Sequence, residues 1–209
     1  MEAEICFKRH DTLASTIFVC YMSFGLKAGA IDPITWNALF WIIILFTAVN
    51  SVAKSFIQES RGRALYYYSI ASPIEIIVSK IIYNALLLLA LALAGFVIYS
   101  FVMARGDNEG AKFDLLYFLI SIVLGSLGLA SSLTMISGIA AKAENSTSLM
   151  AVLSFPVILP IMLMVIKLSK NAMDGLERSV STDEILILVA INAIVFAVSY
   201  LLFPYLWRS

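Results

Sequence analysis

Charged side chains are scarce in this sequence: Asp, Glu, Lys and Arg make up 13% of 209 residues, about half the share of a soluble domain. The hydrophobic share is 61%, and mean hydropathy is +0.95. A folded domain of this size still exposes roughly a third of the surface of its unfolded chain. A water-soluble globule is therefore excluded, and the solvent is lipid. Fourteen Lys and Arg balance fourteen Asp and Glu, so no nucleic acid or other bulk electrostatic partner is indicated. The single histidine, His10, leaves no pair for a metal or for bis-His haem ligation, and it reads as an interfacial polar residue. Cys6 and Cys20 form neither CxxC nor CxxCH, so no thiol redox pair or covalent haem site is indicated. There is no GxxxxGK[ST], GxSxG or HExxH. The chain is thus not expected to be an enzyme, and any ATP-driven role needs a separate ATPase subunit to cradle the nucleotide phosphates.

What is present is a series of apolar runs long enough for lipid. Crossing about 30 Å of hydrocarbon takes about 20 helical residues. Six runs qualify, at 13–30, 35–53, 79–104, 113–141, 147–168 and 184–207. They predict a single all-α transmembrane domain with no separate soluble part. The first run ends in Ala28-Gly29-Ala30, which mimics a signal-peptide cleavage site. Glu2 and Glu4 in the basic leader, with Lys27 just before the triplet, favour a retained span.

Six spans put both termini on one side. Lys8, Arg9, Lys54, Arg61, Arg63, Lys80, Lys142 and Arg208 share that side and outnumber Lys27, Arg105, Lys112, Lys167, Lys170 and Arg178 on the other. The positive-inside rule then gives cytoplasmic N- and C-termini. Trp36, Trp41, Tyr117, Tyr205 and Trp207 fall near span ends, where aromatic rings settle at headgroup level. Between their boundary residues the spans carry no ionisable side chain. Self-powered pumps and intramembrane hydrolases retain such groups at depth, so neither class is expected.

Three features carry further information. Ser121, Gly125, Gly128 and Ser132 form one small-residue stripe, which allows close helix packing either within one subunit or at a dimer seam. Pro156 and Pro160 lie four apart in the fifth run, where each removes a backbone donor, so a kinked or broken helix is expected there. The segment at about 54–78 is too polar to span and too apolar for a free linker. A short interfacial helix over Gln58 to Tyr68, ended by Pro73, would suit docking of a cytosolic partner.

As a set, these parts resemble the CcmB family, also called haem exporter protein B, the membrane subunit of the cytochrome c maturation ABC transporter. The residues that carry the likeness are the charged start EICFKRHD, the cytoplasmic segment with Gly62, Pro73 and Lys80, and the stretch VLSFPVILPIMLMVIKLSKNAMDG with its Pro-x-x-x-Pro helix. Where some members carry an acidic cluster before the glycine, this chain has Gln58-Glu59-Ser60-Arg61. The resemblance implies an ABC-2-like membrane domain in a bacterial inner membrane, working as a homodimer with a CcmA-like ATPase, a CcmC-like haem-handling protein and a CcmE-like chaperone. Contact with the ATPase would fall on Gln58, Glu59, Arg61, Gly62, Arg63, Tyr66 and Pro73, and the moving element on Pro156 and Pro160. The chain itself is expected to hold no cofactor. Haem would be the species exported or handled, and the lack of a histidine pair favours ATP-driven release of a haem-loaded chaperone over haem transport. The alternatives are an ATP-independent channel or carrier, which would be expected to show buried charges or repeated halves, and a membrane scaffold.

Overall fold

The computed structural model describes residues 32–52, 73–102, 113–141, 146–175 and 178–208. These form five helices: α1 (Pro33–Val52), α2 (Pro73–Val102), α3 (Leu115–Ala140), α4 (Ser146–Asp174) and α5 (Arg178–Arg208). All five are long and apolar enough to cross a membrane, so the chain is a multi-pass membrane protein. The expected span at 13–30 and most of the expected docking segment at 54–78 lie outside the described residues.

Local chemistry fixes where several helices begin and end. Asp32 caps α1: its Oδ2 accepts from the Ile34 amide at 3.2 Å, and its carbonyl accepts from the Trp36 amide at 2.8 Å. Pro33 then occupies the first helical position, where a missing N–H costs nothing. Asp114 caps α3 in the same way, accepting from the Leu116 amide at 3.2 Å. Gly175, at φ 62°, ends α4 in the left-handed conformation that a Cβ would oppose.

The apolar runs marked the lipid better than they marked the helices. α2 begins at Pro73 rather than near residue 79. Pro73 therefore opens a helix, where the sequence reading had it end one. Residues 73–78, assigned there to the docking segment, belong to α2. At its far end α4 runs on to Asp174, past the expected span end at 168. α5 likewise starts at Arg178, ahead of the expected 184. Lys, Ala and Met propagate a helix well outside hydrocarbon, because a helix needs only paired backbone groups and tolerates polar side chains at headgroup level.

Consecutive elements run antiparallel. Tyr99 near the end of α2 donates its hydroxyl to the Trp36 carbonyl near the start of α1, at 3.0 Å. The Asp114 amide donates to the Ala172 carbonyl at 2.9 Å, joining the start of α3 to the end of α4. One end of the bundle thus gathers Asp32, Val102, Asp114, Asp174 and Arg178. The other gathers Val52, Pro73, Ala140 and Ser146. They are called below the Asp32 end and the Val52 end.

α3 is the central helix, packed against all four others. Its lipid-length window is 67% buried, against 17% for α5. That centrality follows from its composition, since Gly125, Gly128 and a series of serines take little room and let four neighbours approach one axis. α5 buries only a narrow stripe, through Ser181, Glu184, Leu188, Val195 and Ser199, and turns the rest of its surface outward. Trp36 and Trp41, expected as anchors at the headgroups, turn inward instead of outward: they are 3% and 0% exposed, packed against other helices. Tyr117 is partly buried against the core, and the side chains of Tyr205 and Trp207 lie outside the described residues.

Candidate functional site

α4 carries the most unusual chemistry, and its two halves differ. Towards the Asp32 end it is fastened to α1 by two side chains. Asn37 of α1 donates through Nδ2 to the Ile166 carbonyl at 3.0 Å. The Trp41 indole N–H donates to Ser169 Oγ at 2.9 Å. Ser169 Oγ lies 2.8 Å from Asn37 Oδ1, 2.8 Å from the Val165 carbonyl and 3.1 Å from the Ile166 carbonyl. One hydroxyl proton serves one acceptor at a time. When it goes to Asn37, each of the three side chains is both reached and satisfied within a closed loop, with no need for water. In lipid such loops matter, since no solvent replaces a lost partner.

A second fastening lies at the membrane edge. Lys167 Nζ stands 2.8 Å from Glu184 Oε1 of α5, with the lysine side chain 61% exposed and the glutamate 5%. The apolar stretches of α4 and α5 stop at these two residues. The pair therefore sits where a long stem can carry its ammonium toward headgroups while the carboxylate stays between helices. Glu184 Oε2 has no partner among the described residues, and neither has Asn171 Nδ2 on the same face of α4 as Lys167.

Towards the Val52 end the character of α4 changes. It continues as one helix through Pro156 and Pro160 without a break, and both prolines are exposed. They share the outward face with Val152, Phe155, Leu159 and Leu163. Each proline withholds the donor owed to the residue four earlier, so the ladder is weakened at the middle of the helix on its outer side. α4 is thus held by side chains towards the Asp32 end and short of two backbone bonds at its centre.

The small-residue stripe is buried: Ser121, Gly125, Gly128 and Ser132 all face other helices of the same chain. A methyl on Gly125 would come 2.8 Å from Trp41 Cη2, 2.9 Å from Cζ3 and 3.1 Å from Val165 Cγ1. The glycine is thus what admits the indole that Ser169 holds. A methyl on Gly128 would come 2.7 Å from Asn192 Oδ1 and 3.3 Å from Ile161 Cγ2. Asn192 Nδ2 donates to the Leu124 carbonyl at 3.2 Å, tying α5 to α3. Its Oδ1 has no conventional donor among the described residues and rests over the glycine, where a Cα–H contact is the available compensation.

The proposed docking residues Gln58, Glu59, Arg61, Gly62, Arg63 and Tyr66 lie outside the described residues, and Pro73 is placed only as the first residue of α2. Sequence reasoning missed Asn37, Asn192, Ser169 and the Lys167–Glu184 pair. A signal was there: an asparagine inside an apolar run is a polar group that needs a partner at depth. Among the described residues no cluster of three or more His, Cys, Asp or Glu is placed to hold a metal ion. No protein family, curated protein or solved structure matches this chain.

Proposed function

We propose that this chain is the membrane-spanning subunit of an ATP-binding-cassette transporter, with an ABC-2-like arrangement of six spans and both termini in the cytoplasm of a bacterial cell. The observation that carries the reading is a neutral interior. Among the described residues, the buried contacts at hydrocarbon depth are made by apolar, hydroxyl and amide groups, and the described ion pair stands at the edge. Such a bundle has no titratable relay with which to capture an ion gradient, and its sequence has no phosphate cradle. Its energy has to come from a partner that binds its cytoplasmic face. α4 supplies an element suited to transmit that energy, fastened at the Asp32 end and hinged at Pro156 and Pro160 toward the Val52 end, which is the cytoplasmic end in this orientation. The resemblance in sequence to the CcmB family directs the reading to cytochrome c maturation in the inner membrane, through haem export or through release of a haem-loaded chaperone.

The test is capture of the partner. A tagged full-length chain, solubilised from its native membrane, is expected to co-purify with a P-loop ATPase. Substitutions at Glu59, Arg61 or Arg63 are expected to reduce both that capture and c-type cytochrome assembly. If no nucleotide-binding protein is retained and cytochrome assembly is unchanged, the reading is wrong. Uphill solute movement by the chain reconstituted alone would overturn it equally.

A further inference from the structure

At the Asp32 end the edge of the bundle carries opposite charges on adjacent helices. Lys167 and Lys170 lie three apart on α4, where side chains share one face, and both are exposed. Across the groove on α5, Glu184 is buried and Asp183 beside it is exposed, near enough for its charge to act on Lys167. These charges cancel, and Asp174, one turn beyond Lys170, adds another carboxylate. A purely anionic headgroup is not favoured by that balance. A zwitterion is, with its negative part over α4 and its positive part over α5.

Two buried atoms ask for the same kind of ligand. Glu184 Oε2 and Asn171 Nδ2 have no partner among the described residues, and their residues are 4% and 8% exposed. Side chains lean toward the N-terminus of their own helix. Because α4 and α5 run antiparallel, Asn171 leans back to the level of Lys167 while Glu184 leans out toward the Asp32 end. A lone acceptor and a lone donor therefore converge in the groove beside the Lys167 ammonium, which holds the other carboxylate oxygen at 2.8 Å. Left unmade, such bonds are costly, most of all for a charged group. The ligand that completes them gives an N–H to the carboxylate and an oxygen to the amide.

We propose that the headgroup of a phospholipid bearing a primary ammonium, as in phosphatidylethanolamine, seats between α4 and α5 at this edge. Its ammonium donates to Glu184 and Asp183, and its phosphate accepts from Lys170, Asn171 and Lys167. The Lys167 side chain, 61% exposed, swings from Glu184 to the phosphate as the headgroup enters. One ion pair is then exchanged for two, and no charge is left buried alone. Phosphatidylcholine keeps both charges but has no N–H to give. Phosphatidylglycerol keeps the phosphate but has no cation. The inference stands apart from the ATPase and from haem.

The test is native mass spectrometry of the delipidated full-length chain, titrated with dioleoyl forms of these three lipids. The ethanolamine lipid is expected to bind about tenfold more tightly than the other two, the gain from one hydrogen bond to a charged group. Glu184→Gln and Asp183→Asn should each shrink that preference. Lys170→Gln should weaken the ethanolamine and choline lipids alike, since both present a phosphate. Asp183 and Lys170 are exposed, so these two variants serve even where Glu184→Gln does not fold. Equal binding of the three lipids to the unsubstituted chain overturns the proposal. So does an ethanolamine preference that survives in every carboxylate variant that folds. Free phosphoethanolamine competing at the concentration of the lipid overturns it too, because the groove would then serve a soluble ligand.

Discussion

The two ends of the bundle are held by different chemistry. The Asp32 end is a lattice of rings: Trp36 and Tyr99 lie 4.8 Å apart between centroids, Phe96 and Phe118 5.1 Å, Phe40 and Trp41 5.3 Å, Phe113 and Phe118 5.6 Å. These contacts draw on α1, α2, α3 and the approach to α3. Towards the Val52 end the buried polar residues are Thr47, Ser51, Asn84, Ser131, Ser132, Thr134, Ser137, Ser154 and Ser199. Thr47, Ser131, Thr134 and Ser199 each donate to a carbonyl three or four residues earlier in their own helix. Rings interlock by shape, so displacing one helix there breaks many contacts together. Hydroxyls satisfied on their own backbone leave the surface between helices smooth. The ring end is joined mainly by contacts between helices, whereas four of the buried hydroxyls at the other end spend their bonds within their own helix.

The largest effect is expected where a ring and a polar fastening coincide. Trp41→Ala empties the space beside Gly125 and removes the donor to Ser169. Aromatic truncations in soluble cores cost about 3–5 kcal/mol. In lipid the separated helices still shelter their side chains from water, so the transfer part is smaller and the cavity part remains. Trp41→Ala should therefore lower stability by about 3 kcal/mol, at the bottom of that range. Reversible unfolding in mixed detergent micelles measures it, and a loss no larger than that of a hydroxyl deletion at the other end would erase the contrast.

A smaller effect tests whether Gly125 exists for the indole. Gly125→Ala should cost about 1–3 kcal/mol as an overpacked contact. Cη2 and Cζ3 belong to the outer ring of tryptophan, and phenylalanine lacks them. Trp41→Phe should then relieve part of the Gly125→Ala penalty, so that the double variant unfolds with less loss than the two single losses added together. Strict additivity would mean that the glycine serves some other neighbour.

Much of this bundle was legible before any coordinate. The five described helices coincide with apolar runs because about 30 Å of lipid leaves few other ways to pair a backbone. Their ends were not, since Pro73 reads equally as a stop after a polar stretch or as the first residue of a helix, and only the chain on both sides decides. Trp36 and Trp41 misled for a related reason. Position near a span end suggested the interface, but burial is set by which side of the helix a residue occupies, and a sequence uniformly apolar around α1 gives little amphipathic signal to choose it. Gly125 and Gly128 were visible as a small stripe. Their partners were not, because a glycine records that something comes close and not what it is. Ser169 left no mark at all: a serine in a helix ordinarily bonds its own backbone, and its acceptance from Trp41 depends on α1 lying alongside.

The smallest effects belong to the Val52 end and sharpen the comparison most. Asn84 Nδ2 donates to Thr134 Oγ1 at 3.0 Å, from α2 to α3. That bond exists only once the helices meet, so Asn84→Ala should cost about 1 kcal/mol, within the range measured for polar contacts between membrane helices. Ser131 differs in one respect: its bond to the Gly128 carbonyl, at 3.1 Å, lies within α3 and survives when the helices separate. A bond present in both states cancels from the difference between them. Ser131→Ala should therefore change stability by less than about 0.5 kcal/mol while hydrogen exchange across α3 stays the same. A loss approaching that of Asn84→Ala would show Ser131 reaching across to another helix as Asn84 does, and the contrast between the two ends would shrink.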